Sequence, residues 1–226
     1  MSPSKRFKEA ISKVEEDKIY PLSEAIDILK SMPLTKFDQT IEVSGKLGID
    51  PRQTDQLVRG FVVLPHGTGK KIRILVFCEP EKEKEAKAAG ADFVGSEEII
   101  DKILKEGWTG FDCCISTPSQ MRSVSKLGKF LGPRGLMPSP KTGTVTENIS
   151  HAISEAKRGK IDFRMDKLSC IHVGVGKISF EKEKIAENVK AFLEALVASR
   201  PQSLKGDFIK SIYLCVTMSP SLRISL

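Results

Sequence analysis

The hydrophobic pattern of this chain changes twice along its length. Residues 40–49 (TIEVSGKLGI) alternate polar and apolar side chains, which is typical of a strand with one buried face. Residues 72–78 (IRILVFC) are almost continuously apolar, as in a strand that is buried on both faces. Helical and strand-like segments then follow one another up to residue 158 and predict a small open parallel sheet. The alternating pattern returns over residues 160–164, 170–173, 209–218 and 221–226.

The two outer segments therefore predict one α+β unit that is built from both ends of the chain. Residues 1–66 and 160–226 form this unit, and an α/β unit of residues 67–159 is inserted between them. A length of 226 residues is sufficient for two domains. We expect a hinge at the glycines of the two connections, Gly67, Gly69 and Gly159.

Residues 159–180 carry a prominent polar pattern. Two alternating runs, 160–164 and 170–173, flank a turn at 165–169, so we expect a β-hairpin with one exposed face. The backbone of a partner can approach closely at the glycines that follow. The pattern is typical of a solvated hairpin face and also suits a binding surface. It does not decide between these two interpretations. The exposed candidates are Asp162, Arg164, Asp166, Lys167 and His172.

The net charge of +7 favours a polyanionic partner without establishing one. Residues 1–66 are neutral overall, residues 67–159 carry +3, and residues 160–226 carry +4. Because the excess is spread in this way, charge alone does not identify nucleic acid as the partner.

The motifs that nucleotide, metal or nucleophile chemistry needs are incomplete. The loop HGTGK at 66–70 departs from a Walker sequence at both ends, and no G-x-G-x-x-G follows the buried strand. The three histidines lack metal-ligand spacing, and no catalytic pairing is evident. We therefore predict no enzyme, no cofactor and no metal. The alternative is a phosphate- or nucleotide-ligand α/β enzyme that uses the loops at 66–70 and 132–143.

The Gly/Pro-rich segment 132–143 predicts a long loop without regular structure. Arg134 and Lys141 could contact phosphates there, or the loop could simply cap the carboxyl end of the sheet. Both readings stay open.

Cysteine usage and hydropathy point to the cytoplasm. No apolar run approaches the roughly 20 residues of a membrane helix, and the N-terminal segment lacks a signal-peptide core. Five cysteines without C-x-x-C spacing indicate reduced core residues, namely Cys78, Cys113, Cys114, Cys170 and Cys215.

Several longer stretches together resemble the bacterial form of the L-one family of large-subunit ribosomal proteins. The motifs LPHGTGK (64–70) and GPRGLMP (132–138) are the most specific to the family. The matching stretches are 36–52, 58–70, 90–100, 126–145, 162–180 and 213–220.

The resemblance implies an α+β first domain that combines both termini, with an inserted Rossmann-like three-layer α/β second domain that binds no dinucleotide. It implies a structural protein that binds the ribosomal RNA stalk beside the exit site and helps to release deacylated tRNA. It also implies repression of translation through the messenger leader of its own operon. Off the ribosome we expect a cytoplasmic monomer.

The resemblance also carries the family's RNA contacts onto this sequence. Phe37 and Met218 would offer apolar surface, and the hydroxyls would bind 2′-hydroxyl groups, while the cations position phosphates. Ser219 replaces a glycine of the family pattern, Ser169-Cys170 replaces a glycine-containing turn, and Ser139 replaces an asparagine. The expected RNA-binding residues are Lys36, Phe37, Thr40, Glu42, Lys46, Arg164, Asp166, Lys167, His172, Ser211, Thr217, Met218 and Ser219.

Overall fold

The secondary structure is mixed, with helices and several sheets. The computed structural model describes residues 4–15, 18–33 and 35–225, so that Leu226, the end of the expected strand at 221–226, lies outside the described residues. The strands are β1 (Ile19–Tyr20), β2 (Thr40–Leu47), β3 (Arg59–Val63), β4 (Ile74–Phe77), β5 (Phe93–Gly95), β6 (Cys113–Ser116), β7 (Lys160–Arg164), β8 (Cys170–Lys177), β9 (Ile209–Val216) and β10 (Leu222–Ile224). The α-helices are α1 (Lys5–Ile11), α2 (Leu22–Ser31), α3 (Glu83–Ala88), α4 (Glu97–Glu106), α5 (Met121–Val124), α6 (Gly128–Leu131), α7 (Ile149–Arg158) and α8 (Lys182–Ala198).

The chain divides into two compact units. Residues 1–69 and 161–226 make up the first unit, and residues 70–160 make up the second. These limits lie one to three residues from those expected from the sequence. The function of each unit and the hinge between them stay predictions.

The first unit contains a five-stranded sheet in the order β1-β10-β9-β2-β8. β1 pairs with β10 in parallel, and the other neighbours are antiparallel. The alternating pattern of β2 sends Ile41, Val43 and Leu47 into a core that also contains the apolar faces of α2 and α8. Because both helices pack on this side, the polar residues of the strands lie on the opposite face of the sheet.

The expected hairpin of residues 160–173 is wrong in its pairing. Both strands exist, but β7 pairs with β3 in a separate two-stranded sheet, whereas β8 pairs with β2. Alternation fixes which side of a strand is buried, but it does not fix the neighbour. β7 turns Phe163 toward α8, where its ring meets that of Phe192 edge-on at 5.7 Å between ring centres.

The second unit contains a three-stranded parallel sheet in the order β5-β4-β6. The prediction of a strand that is buried on both faces is confirmed, because Ile74, Leu75, Val76 and Phe77 are all fully buried. Ile74 and Val76 pack with α3 and α7 on one side of the sheet, and Leu75 and Phe77 pack with α4, α5 and α6 on the other. The unit is thus a small three-layer α/β structure.

The Gly/Pro-rich loop is more ordered than the sequence suggests. Residues 140–142 form a 3-10 turn, in which the Ser139 hydroxyl accepts from the Lys141 amide at 3.3 Å. The Thr144 hydroxyl accepts from the Ser139 amide at 2.9 Å and lies 3.0 Å from the Thr142 hydroxyl. These bonds close the end of the loop upon itself.

Candidate nucleic-acid interface

The polar face of the five-stranded sheet, here called the outer face, collects side chains from four strands. β2 contributes the even-numbered residues of its alternating run, because these point away from the helices. The pairing registers place residues of β9 and β8 directly beside them. The outer face includes Thr40, Glu42, Ser44 and Lys46 of β2, Ser211, Tyr213 and Cys215 of β9, Cys170 and His172 of β8, and Arg223 of β10.

The centre of the outer face is a polar row, of which the sequence analysis selected only His172. Ser44 lies between Tyr213 of β9 and His172 of β8, and its hydroxyl is 3.1 Å from His172 Nδ1. Arg223 is the partner of Tyr213 on the far side. Ser44 has the same strand parity as the expected Thr40, Glu42 and Lys46, so alternation could have found it.

One end of the outer face is built by the turn that links β9 to β10. The Thr217 hydroxyl accepts from the Thr40 amide at 3.1 Å and donates to the Thr40 carbonyl at 3.3 Å. Gln39 Nε2 donates to the Thr217 carbonyl at 2.6 Å. Thr217 therefore joins two strands, so part of its hydrogen-bonding capacity is used within the protein.

Two large apolar side chains project beside this turn. Met218 is 63% exposed and Phe37 is 53% exposed. Met218 has a positive φ of 65°, and its sulfur accepts from Arg6 Nη2 at 3.7 Å. Lys36 is also exposed in the segment that leads into β2. Exposed apolar surface of this kind is suited to contact with sugars or bases.

Ser219 turns its side chain into the turn. Its hydroxyl accepts from the Val216 amide at 2.9 Å and donates to the Pro220 carbonyl at 3.0 Å. The hydroxyl thus stabilises the turn and does not extend from it.

Lys177 is a further cation at this end that the sequence analysis did not select. Its ammonium group donates to the Thr40 hydroxyl at 3.0 Å and to the Asp38 carbonyl at 3.1 Å. It thus fixes the Thr40 hydroxyl as an acceptor, which leaves the proton of that hydroxyl available for another partner.

The other end of the outer face is built by the turn between β7 and β8. Asp166 Oδ1 accepts from the Cys170 amide at 2.7 Å and from the Leu168 amide at 2.8 Å. These bonds lower the pKa of the Asp166 carboxyl, above all the one from Cys170, and the charges of His172 and Lys46 act in the same direction. The Lys46 ammonium donates to the Leu168 carbonyl. Two of the expected RNA-binding residues therefore hold this turn.

An open depression of about 310 Å³ lies beside this turn. Arg52, which the sequence analysis did not select, lies there with Arg164 and Lys167, so three cations surround it. The lining residues are Pro51, Arg52, Leu57, Arg164, Met165, Asp166 and Lys167.

The expected site residues thus fall into two groups at opposite ends of β2. Thr40 and Lys46, one in each group, are separated by about 20 Å along an extended strand. Glu42 lies between them on the same face. The first group is Lys36, Phe37, Thr40, Thr217, Met218 and Ser219, the second is Lys46, Arg164, Asp166, Lys167 and Ser211, and His172 lies beside Ser44 at the centre of the face.

The loop that leads toward residue 70 is attached to α8. Asn188, which is fully buried, accepts from the His66 amide at 3.1 Å and donates to the Gly67 carbonyl at 3.0 Å. Its Nδ2 also donates to the Val175 carbonyl at 2.8 Å. His66 Nε2 lies 2.5 Å from the Glu187 carboxylate. Gly67 and Gly69 have positive φ angles of 65° and 71°, and Gly159, with φ 107°, ends α7.

The cysteines do not all lie in the core. Cys78 and Cys114 are buried, and burial raises the pKa of both thiols. Cys170 and Cys215 are half-buried on the outer face, so the expectation of a core position is wrong for these two. Their strand parity places them there, because they pair with Lys46 and Glu42.

Over the described ranges, no cluster of three or more His, Cys, Asp or Glu side chains could hold a metal ion. No helix in the described part of the chain has the length and apolar character needed to cross a membrane.

The comparisons with known proteins agree with one another. Residues 29–220 match the model of the ribosomal protein L1p/L10e family. The chain is 54% identical over 224 residues to the large ribosomal subunit protein uL1 of Protochlamydia amoebophila, covering 99% of this chain and 94% of that protein. It is 53% identical over 222 residues to the protein of the same name from Thermus thermophilus, covering 98% of this chain and 96% of that protein. Since the family model spans most of the chain and the identities extend over nearly all of it, the chain belongs to the ribosomal protein L1p/L10e family.

Proposed function

We propose that this protein is a structural component of the large ribosomal subunit and binds ribosomal RNA through the outer face. Its family is one of ribosomal proteins, so the chain is not an enzyme and its place is the ribosome of the cytoplasm. The nucleotide-enzyme alternative is set aside for this reason. The observation that carries the proposal is a sheet face with hydroxyls and cations on the side opposite the helices, together with exposed apolar side chains near the turn at one end.

The chemistry of the outer face suits RNA better than DNA. A-form RNA presents 2′-hydroxyl groups in a wide, shallow minor groove, where both donors and acceptors are useful. Thr40 and Ser44 offer hydroxyls, and His172 offers a ring nitrogen close to Ser44. The two ends of the face differ, with apolar Phe37 and Met218 at one end and the three cations around the depression at the other. A binding partner would therefore be held in one orientation.

The test is a binding titration against a fragment of the ribosomal stalk RNA and a length-matched hairpin of scrambled sequence. We expect tight binding to the stalk fragment alone, which survives physiological salt because shape-specific contacts add to phosphate contacts. Equal binding to both RNAs, with a steep loss in salt, would leave only counterion release and would contradict the proposal.

The family resemblance supports two finer roles, which we propose as well. The first is contact with deacylated tRNA at the exit site. The second is repression of translation through a stalk-like structure in the messenger of the protein's own operon. Competition between the stalk fragment and a leader transcript tests the second role: a shared outer face predicts mutual displacement, and simultaneous binding of both RNAs would refute it.

A further inference from the structure

One segment of the second unit contains no acidic residues. Residues 113–146 contain five Lys or Arg and no Asp or Glu. By contrast, residues 67–112 have a net charge of −2, and residues 147–159 are neutral. The net charge of residues 67–159 is only +3, but it includes the segment 113–146, whose net charge is +5.

The five cations are all exposed and lie on short elements that follow one another along the chain: α5, a 3-10 turn at residues 125–127, α6 and the loop after them. We call them the basic surface: Arg122, Lys126, Lys129, Arg134 and Lys141. Across the described residues, none of the five takes part in a salt bridge, and Arg134 donates to the Thr109 hydroxyl.

Some cations elsewhere in the second unit are paired with carboxylates. Arg73 pairs with Asp112 at 3.1 Å, Lys87 with Glu83 at 3.6 Å, and Lys105 with Asp101 at 3.4 Å. The contrast is one of arrangement, because α3 and α4 intersperse charges of both signs whereas the basic surface does not. Exposed cations without salt-bridge partners attract a polyanion more strongly than paired ones.

The backbone within the basic surface is accessible. Gly128, at the start of α6, has a helical φ of −51°, and a Cβ atom built on it would meet no atom within 4 Å. Glycine is unfavourable in a helical conformation relative to alanine, and nothing within the chain requires it here. Phe130, in the same short helix, is 38% exposed. An open backbone beside cations and a ring suits close approach by a sugar–phosphate chain.

We propose that the basic surface binds the phosphate backbone of an RNA helix without reading its sequence. This gives the second unit a contact of its own, beyond the one proposed for the outer face, and it rests on the proposed function only in taking RNA as the polyanion. Phosphate contacts position a partner and add affinity, whereas the outer face would supply discrimination.

The test compares two triple variants of the full-length protein that lose the same charge. One is Lys126→Gln with Lys129→Gln and Arg134→Gln. The control is Lys84→Gln with Lys87→Gln and Lys105→Gln, which changes exposed lysines of α3 and α4. Both are titrated across a range of salt with the stalk RNA fragment and with an RNA duplex of arbitrary sequence. Loss of three phosphate contacts should lower the slope of log K against log salt by roughly 2 to 3.

We expect the slope to fall for both RNAs in the first variant and to stay near the wild-type value in the control. An equal fall in both variants would mean that only net charge matters, and no fall in either would mean that the basic surface makes no contact; each result would overturn the proposal. Failure of the outer face would look different, since the wild-type protein would then not prefer the stalk fragment to the duplex.

A single substitution tests the same contact independently. Gly128→Glu places a carboxylate in open space within the basic surface, and Lys84→Gln is its charge-matched control. We expect weaker RNA binding by Gly128→Glu than by the control. Equal affinities, or binding of an oligoglutamate as tight as that of the duplex, would overturn the assignment to RNA, the latter in favour of an acidic protein partner.

Discussion

Ser169 combines a strained backbone with a buried hydrogen bond. Its φ of 61° lies in the left-handed region, and its hydroxyl donates to the Ile49 carbonyl at 2.7 Å. The strain costs roughly 1 kcal/mol in a residue with a Cβ atom, and the hydrogen bond contributes a similar amount. The two terms can be separated, because glycine removes both whereas alanine removes only the bond.

We therefore expect Ser169→Ala to lower the free energy of unfolding by about 1 to 2 kcal/mol, since the Ile49 carbonyl loses its partner while the strain remains. Ser169→Gly should be more stable than Ser169→Ala, because the strain is relieved. Urea denaturation of both variants measures the difference. The reverse order of stability would show that the left-handed conformation carries no cost here.

Phe37 is the cleanest single probe of the outer face. Its ring is 53% exposed, so Phe37→Ala should leave the fold intact. If a base or sugar packs on the ring, the stalk RNA should bind more weakly by about 1 to 3 kcal/mol, the range of base–aromatic stacking. Fluorescence anisotropy with the stalk fragment measures this. Thr217→Ala is less informative, because the Thr217 hydroxyl also joins two strands.

Val197→Ala is the matched control for Phe37→Ala. Val197 is also 53% exposed, but it lies on α8, on the helical side of the sheet. It should bind the stalk RNA like the wild type. A similar loss in both variants would mean that Phe37 acts through general destabilisation.

At the scale of single elements, Asp166 illustrates how a turn can be sensitive to pH. Its folded pKa is lowered by the amide bonds from Cys170 and Leu168, so the carboxylate stabilises the fold above the pKa of an unfolded Asp, about 4. This stabilisation is lost as the pH falls through the lower folded pKa. We expect Asp166→Asn to be less stable than the wild type near neutral pH and to approach it in acid.

Thermal unfolding at several pH values measures this convergence. Asp207→Asn removes the same charge from another exposed position and serves as the control. A constant difference between Asp166→Asn and the wild type across the acid range would contradict the role of the ionised carboxylate.

Asn188 connects three elements through one buried amide. Its bonds to His66, Gly67 and Val175 tie α8 to β8 and to the loop that leads out of the first unit. Asn188→Ala would leave two carbonyls and one amide without their partner and should lower the free energy of unfolding by about 2 to 4 kcal/mol. Chemical denaturation measures this, with exposed Lys190→Ala on the same helix as a near-neutral control. A near-neutral Asn188→Ala would mean that water replaces the amide.

The sequence predicted elements better than their partners. The buried strand within the apolar run at 72–78 was found because the hydrophobic pattern reports burial directly. β1 was missed, since two residues carry no periodicity. The predicted pairing of the two strands within 160–173 was wrong because alternation does not indicate which strand is the neighbour in the sheet.

At the scale of the whole molecule, alternation alone predicted only the exposed residues of the segment 160–173, and the other expected site residues came from the resemblance to a family. Parity along β2 could have added Ser44, but Tyr213 becomes its neighbour only through the pairing of β2 with β9, two strands that are far apart in sequence. The sequence analysis missed the basic surface for another reason. It summed the net charge over residues 67–159, so the positive charge of 113–146 was partly cancelled by the acidic stretch before it.

The two units make different contributions if the outer face reads RNA and the basic surface binds phosphates. Replacing residues 70–160 by a short Gly/Ser linker tests this division, and the first unit offers a core of its own for such a fragment. The linker joins segments that continue from β3 and β7, which are neighbours in one sheet.

We expect the fragment to keep its preference for the stalk RNA over a scrambled hairpin, while its salt dependence becomes shallower by about one unit of slope per lost phosphate contact. Circular dichroism and thermal unfolding establish that the fragment is folded, and the two titrations then measure preference and slope separately. Loss of the preference in a folded fragment would place the discriminating contacts in the second unit, and an unchanged slope would remove the basic surface from the RNA contact.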